Sequence, residues 1–244
     1  QIIIFANTLW FLINFKKDLI KRLSKSYQIK CYFLKFGDLE NFLIKKYLNK
    51  DKNSIQYIKI SIWISIKEFL NSLFAQLGLR NKKEQRFKII IFTIVPIFLS
   101  PIIFFSHQSS MIYVLEGLGR VFSSRRIKFR ILKRFVEFAY KINFKKAANV
   151  AVLNPMDAAY LVKKSISSYE KIHILPGTGL NLKKYNYEKF EKNKNEKYID
   201  FIGRILPDKG FYEFLYSRKI LVKKYPNLAK KFKYRVIAPK RQIM

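Results

Sequence analysis

The run Ile2 to Ala6, reading Ile-Ile-Ile-Phe-Ala, constrains the fold more than any other stretch of the chain. It is apolar throughout, mostly β-branched, and ends at Asn7-Thr8, as a first parallel strand buried on both faces would. Leu12, Phe15, Leu19 and Leu23 then recur at spacings of three and four, with Lys16, Lys17, Lys21 and Arg22 between them. That spacing predicts an amphipathic helix. Ile29 to Leu34 reads as a second strand, so the chain opens β-α-β. The loop Asn7 to Leu12 is therefore expected at the carboxyl edge of a sheet, where open α/β folds bind ligands. It lacks G-x-G-x-x-G and carries no dinucleotide fingerprint.

Further runs continue the pattern. Tyr57 to Ile62 predicts a strand and Ser65 to Leu79 a helix, with Lys82 to Arg86 as a charged turn. Ile89 to Phe105 holds no charge and is the one stretch that could cross a bilayer. Its length falls at the short limit for a span and it contains Pro96 and Pro101, so a strand (Ile89 to Ile94), a turn and a short buried helix are the preferred reading. Ile112 to Leu115 follows as a strand, leading into Glu116-Gly-Leu-Gly119, whose glycines allow a sharp turn or a close approach to a ligand. Asn149 to Leu153 and Lys171 to Leu175 are strands again, separated by a helix start at Asn154-Pro155. His173 reads as structural and His107 is similarly alone, so no metal site is expected.

Between Arg125 and Lys146 the chain carries nine basic residues and one acid, Glu137. Ile131, Leu132, Phe135, Val136, Phe138, Ala139 and Ile142 recur among them at roughly helical spacing. Two readings stand side by side. One is a surface helix covering the sheet. The other is a basic face against anionic lipid, where each Lys or Arg contributes on the order of 1 kcal/mol.

The net charge of +33 raises the question of a polyanionic partner, nucleic acid or an anionic membrane. Part of that charge follows from a general bias toward Lys, Ile, Asn, Phe and Tyr. A basic nucleic-acid-binding protein is the alternative class, although no recognition helix or stacking motif is legible. One cysteine, Cys31, excludes an intramolecular disulfide and makes a reducing cytoplasm the default. Gln1 to Ala6 has neither an initiator Met nor a basic leader, so it reads as a strand and not as a signal peptide.

Residues 183–197 are polar without an apolar period and read as a linker. Beyond it, Ile199 to Phe214 combines a short apolar run, a glycine-bounded basic loop and a helical pattern. Gly203 closes the strand, Arg204 and Lys209 stand on the loop, and Gly210 leads into the helix. A helix N-terminus with one guanidinium and one ammonium is a phosphate cradle in outline. The same pattern would also serve as an ordinary α/β connection in a lysine-rich chain. A helix bearing Phe211, Phe214, Leu215, Leu221, Val222 and Tyr225, a stop at Pro226 and a last strand Tyr234 to Ala238 complete the chain.

Four of these pieces, in this order, resemble a bacterial glycosyltransferase of family 4, the retaining GT-B type. They are Ile2 to Phe15, Glu116-Gly-Leu-Gly119, Ile174-Leu-Pro-Gly-Thr-Gly179 and Gly203-Arg-Ile-Leu-Pro-Asp-Lys-Gly210. The resemblance runs over essentially the whole chain. It implies an α/β, GT-B type fold: a Rossmann-like acceptor-side domain over residues 1–182, the linker 183–197, and the first β-α-β of a nucleotide-sugar-binding domain over 198–244. It implies a hexosyltransferase of polysaccharide biosynthesis, with a nucleotide sugar as substrate and no cofactor or metal. Arg204 and Lys209 match the basic pair on the donor diphosphate. Asn7, Asn14, Glu116, Gly117 and Gly119 would line the acceptor side, Gly177 and Gly179 the domain junction, and Gly203 the donor side. The implied acceptor is a surface glycan or a sugar on a polyprenyl diphosphate. That acceptor suits peripheral contact with an anionic membrane on the inner face of the cell membrane, and no nucleic-acid partner is expected. The family's two glutamates, eight positions apart in the second domain, have no counterpart here, so the expectation is a C-terminally truncated chain, inactive alone.

Overall fold

The structure is a computed structural model, and it describes residues 1–35, 54–60, 87–104, 111–123, 126–179, 182 and 197–238. The expected helix Ser65 to Leu79, the turn Lys82 to Arg86, His107 and the linker up to residue 196 lie outside the described residues. The chain divides into two compact units, Gln1–Asn181 and Leu182–Met244.

In the first unit seven strands form one parallel sheet: β1 (Ile2–Thr8), β2 (Ile29–Lys35), β3 (Ile55–Lys59), β4 (Lys88–Phe92), β5 (Met111–Leu115), β6 (Asn149–Val152) and β7 (Ile172–Ile174). Their order is β3-β2-β1-β4-β5-β6-β7. β1 lies inside the sheet, pairing Ile2 with Ile29 on one side and with Lys88 on the other. It sends Ile3 and Phe5 to one face and Ile2, Ile4 and Ala6 to the other, and both sets are buried. This is why the run has no polar alternation.

The chain steps one way from β1 to β2 and β3, then returns to β4 and proceeds the other way. Right-handed crossovers in opposite directions put their helices on opposite faces. Leu9 and Leu12 of α1 (Leu9–Phe15) and Ile20 of α2 (Lys17–Leu23) accordingly pack with Ile4, Cys31 and Phe33. Ile97 and Ile103 of α3 (Ile94–Ile103) pack on the other face with Ile89, Ile91 and Tyr113. After the short α4 (Arg120–Ser123), α5 (Ile127–Lys146) and α6 (Pro155–Lys163) add Val136, Tyr140, Phe144 and Leu161 to that same face. Asn154 caps α6 by accepting from the Asp157 amide at 2.8 Å, as the Asn-Pro start predicts.

Several local readings change. No loop runs from Asn7 to Leu12: β1 reaches Thr8, whose hydroxyl accepts from the Phe11 amide at 3.1 Å and starts α1 at Leu9. The expected stripe Leu12, Phe15, Leu19, Leu23 is broken at Lys16, where φ −116° and ψ 1° separate α1 from α2. Phe15 and Leu19 are left exposed, and Ile20 is buried instead. In α5 only Val136 of the seven expected apolar positions is buried, and the helix is held by Val136, Tyr140, Asn143 and Phe144.

The charge-free stretch folds as strand and short helix with one residue between them, so Ile94 already belongs to α3. Thr93 makes that turn at φ 68°, a left-handed conformation unusual for a β-branched residue. Pro96 sits in the first turn of α3, where an N–H is not needed. Pro101 lies inside the helix and leaves the Ile97 carbonyl without its helical donor. Two side chains replace it: the Asn143 amide donates to Ile97 O at 2.8 Å from α5, and the Ser100 hydroxyl donates at 2.9 Å. No described helix is long and apolar enough to cross a membrane.

The described residues of the second unit form one β-α-β. β8 (Lys197–Ile202) and β9 (Phe232–Ile237) pair in parallel, joined through α7 (Phe211–Lys224) and α8 (Pro226–Ala229). Pro226 therefore starts a short helix, as proline at a first helical position does, and does not end the helical region. Phe201 is buried, with the rings of Phe211 and Phe214 at 5.2 and 5.7 Å.

Candidate functional site

The order of the first sheet reverses between β1 and β4, so the carboxyl ends of these strands and of β5 flank a topological switch point. Asn7, Thr93 and Glu116 occupy those ends. Asn7 is half-buried at the end of β1. Glu116 follows β5 directly, and its carboxylate accepts from the Lys16 ammonium.

Lys16 is buried although it stands among exposed lysines in the sequence. It stands at i, i+4 spacing between the buried Leu12 and Ile20. Its ammonium lies 4.7 Å from the centre of the Phe92 ring and 5.5 Å from that of Phe11, so the charge meets one carboxylate and two aromatic faces. This contact ties the first helical segment to the Glu116-Gly-Leu-Gly119 turn, which stands a hundred positions away in sequence.

Gly119 has φ 77°, and a Cβ placed on it would stand 3.4 Å from Ile94 Cδ1. Its left-handed conformation favours glycine, whereas the distance to Ile94 is an ordinary van der Waals contact. Beside the turn, the Thr93 hydroxyl is buried without a hydrogen-bond partner. Asn14 is exposed, and its amide donates to the Trp10 carbonyl at 2.9 Å along its own helix, so it is not directed toward Glu116. Trp10 and Phe15 present a partly exposed ring pair with centroids 5.3 Å apart at this edge.

Gly177 (φ 95°) and Gly179 (φ 77°) follow β7 at the same carboxyl edge. Four strand spacings separate β7 from β1, roughly 19 Å. Asn7 on β1 and the Glu116 to Gly119 turn after β5 thus stand two strand spacings apart across the switch point, and Gly177 and Gly179 stand two spacings further along.

In the second unit, Gly203 ends β8 and accepts no side-chain burden: its amide donates to Ile237 O at 3.0 Å and closes the strand pair. Arg204 and Lys209 are both exposed on the following loop. Gly210 (φ 75°) turns the chain from the short 3-10 segment Pro207–Lys209 into α7. Two cations therefore flank the start of a helix at the carboxyl end of a parallel strand. Glu213 also lies in the first turn of that helix and favours the same positive end.

Lys16, Thr93 and the Trp10–Phe15 pair are site features that sequence reading did not single out. Lys16 alone had a usable signal: Leu12, Lys16 and Ile20 share one i, i+4 row, in which a lysine stands between two buried apolar residues. Among the described residues, no three His, Cys, Asp or Glu side chains come together. A cavity of about 510 Å³, lined by Lys141, Lys145, Lys171 and Ser165 to Ser168, opens at the amino edge of the sheet, away from these loops.

No family model matches the sequence, and no curated protein sequence matches it. Solved structures do match. UDP-N-acetylglucosamine 2-epimerase from Rickettsia bellii is 14% identical with a TM-score of 0.51, over 98% of this chain and 62% of that one. OtsA in its apo form is 12% identical with a TM-score of 0.60, covering 98% and 65%. MnaA of S. aureus, solved with UDP, is 15% identical with a TM-score of 0.53, covering 98% and 62%. At these identities the likeness shows the fold, which is α/β of the GT-B type. The chain spans 62 to 65% of the length of the structures it matches.

Proposed function

We propose that this chain supplies the acceptor side and the diphosphate-binding loop of a retaining glycosyltransferase of family 4. The reaction moves a sugar from a nucleotide-sugar donor to a glycan or a polyprenyl-diphosphate-linked sugar. The observation that carries the reading is the loop Gly203 to Gly210, which exposes Arg204 and Lys209 at the carboxyl end of β8 and the start of α7.

Charge is the reason these residues suit the task. As the bond from the anomeric carbon to the diphosphate breaks, negative charge grows on the leaving oxygens. Fixed cations there stabilise the transition state more than the bound donor. The Arg204 guanidinium offers a planar fork to two oxygens, and Lys209 a point charge. Gly203 and Gly210 let the backbone approach the diphosphate, while Gly177 and Gly179 shape the turn that precedes the second unit. Asn7, Asn14, Glu116, Gly117 and Gly119 serve the acceptor, with Trp10 and Phe15 offering apolar ring faces to a sugar. Lys16 holds the Glu116 carboxylate and so positions the turn.

UDP in the S. aureus MnaA structure makes a uridine nucleotide the first donor to try. Calorimetric titration of this chain with nucleoside diphosphates tests the proposal. Binding of one of them is expected, with Arg204→Ala and Lys209→Ala each weakening it about tenfold to a hundredfold, the loss of one charge-assisted hydrogen-bonding group. Failure of every nucleoside diphosphate to bind, or binding indifferent to both substitutions, overturns it.

A further inference from the structure

We infer that the outward face of α5 is a docking surface for an anionic lipid bilayer. α5 has two apolar sides. One is the core side, Val136, Tyr140, Asn143 and Phe144. The other is formed by Ile127, Ile131, Phe135, Phe138 and Ile142, which follow one another at steps of four, four, three and four and so make a single stripe opposite the core. Phe135 and Phe138 are 63% and 66% exposed, and the three isoleucines are exposed as well. A helix that merely roofs a sheet turns polar residues to that side.

Cations border the stripe. At 100° per residue, Arg130, Arg134 and Lys141 fall along one margin, Lys128 and Lys146 along the other, and Lys145 in line with it. Glu137, the one acid of the helix, is engaged by the Tyr160 hydroxyl, which donates to its carboxylate. Burial, together with that carboxylate, raises the Tyr160 hydroxyl above its ordinary range, so the donor keeps its proton. At 100° per residue Glu137 lies about 120° from the centre of the stripe, so among the described residues of α5 no carboxylate stands on the outward face. Ile131, Arg134, Phe135 and Phe138 line a shallow, open hollow of about 390 Å³ that is mostly apolar with one guanidinium beside it.

The combination selects the occupant. A second copy of this chain would bring the same cations face to face in a molecule of charge +33. A nucleic-acid backbone would engage the cations and leave five large apolar side chains in water. The boundary between headgroups and acyl chains takes both, Ile and Phe inward, Arg and Lys at the phosphates. Because α5 follows β5, its Ile127 end stands toward the carboxyl edge of the sheet and its axis runs for roughly 30 Å. Docking would hold the Glu116 turn beside the membrane. The inference stands whether or not the chain transfers sugar.

Flotation of the whole chain with vesicles tests it, using phosphatidylcholine alone and phosphatidylcholine mixed with phosphatidylglycerol. Binding is expected only with phosphatidylglycerol present. Phe135→Ser with Phe138→Ser leaves the charge unchanged and touches no core residue, so far-ultraviolet circular dichroism should match the parent. It should raise the lipid concentration for half-binding about tenfold or more. Removing three exposed charges from α7, by Lys219→Gln, Lys223→Gln and Lys224→Gln, should change it less than threefold. Three outcomes overturn the inference: no binding to phosphatidylglycerol vesicles, equal binding by the Phe135→Ser/Phe138→Ser variant, or a dimer in sedimentation that this variant dissolves while vesicles bind neither form.

Discussion

Replacing Asn143 by Leu removes a buried amide of similar size from α5 and leaves the Ile97 carbonyl with the Ser100 hydroxyl as its one remaining donor. The need for that amide comes from Pro101, which cannot supply the N–H that an α-helix would place there. A buried hydrogen bond contributes about 1 kcal/mol net, and an under-satisfied buried carbonyl costs somewhat more. Asn143→Leu should therefore destabilise the first unit by about 1 to 2 kcal/mol, lowering its thermal midpoint by about 2 to 8 °C. In a Pro101→Ala background the backbone donor returns, and the same substitution should cost less than about 0.5 kcal/mol. Urea unfolding of the four proteins closes the cycle. An equal cost in both backgrounds would refute the account, because the amide would then be serving packing and not the carbonyl that proline orphans.

The ion pair of Lys16 and Glu116 should respond asymmetrically, since the lysine side chain is 6% exposed and the carboxylate 21%. Glu116→Ala strands a buried ammonium and should cost about 2 to 3 kcal/mol, whereas Lys16→Met leaves a carboxylate that water can reach and should cost about 1 kcal/mol or less; urea midpoints in the reverse order would contradict this. In the second unit, Arg235 donates to both Asp200 oxygens at 2.8 Å, and this holds the Asp200 carboxyl below its ordinary value. The stability it lends is present above the unfolded carboxyl pKa of about 3.9 and is lost as pH falls through the lower folded value. Titration of the Asp200 carboxyl by nuclear magnetic resonance should show a depressed midpoint that Arg235→Gln returns upward; an unmoved midpoint would remove the pair from the account.

Legibility of the chain followed how many constraints each segment carried. Ile2 to Ala6 had to be buried on both faces, and no helix or exposed strand tolerates that pattern, so its place inside a parallel sheet was readable. The bounds of β5 and β6 were readable to within a residue for the same reason, and those of β7, which is largely exposed, from its short apolar run alone. α1 and α2 were misread because two rows fit equally well: Leu12, Phe15, Leu19, Leu23 and Leu12, Lys16, Ile20. Only Glu116, brought alongside by the sheet, decides for the second. The helix α5 is legible from its spacing, but its buried side is not, since its apolar residues lie on two opposite sides and periodicity does not say which side meets the sheet. The positions of Gly177 and Gly179 follow from strand order, which no local motif encodes.

Strand order also has a consequence for synthesis. β1 finds its first neighbour, β2, soon after it is made, but its other edge waits for β4, because Ile2 pairs with Lys88. At ordinary elongation rates that interval is roughly 4 to 17 s. Throughout it an apolar strand has one row of backbone donors and acceptors unpaired, and the sheet's central contact is a late event with a long loop to close. Conditions that slow elongation between β2 and β4 should lengthen this vulnerable interval, so the yield of folded chain would depend on the pace of translation between these two strands.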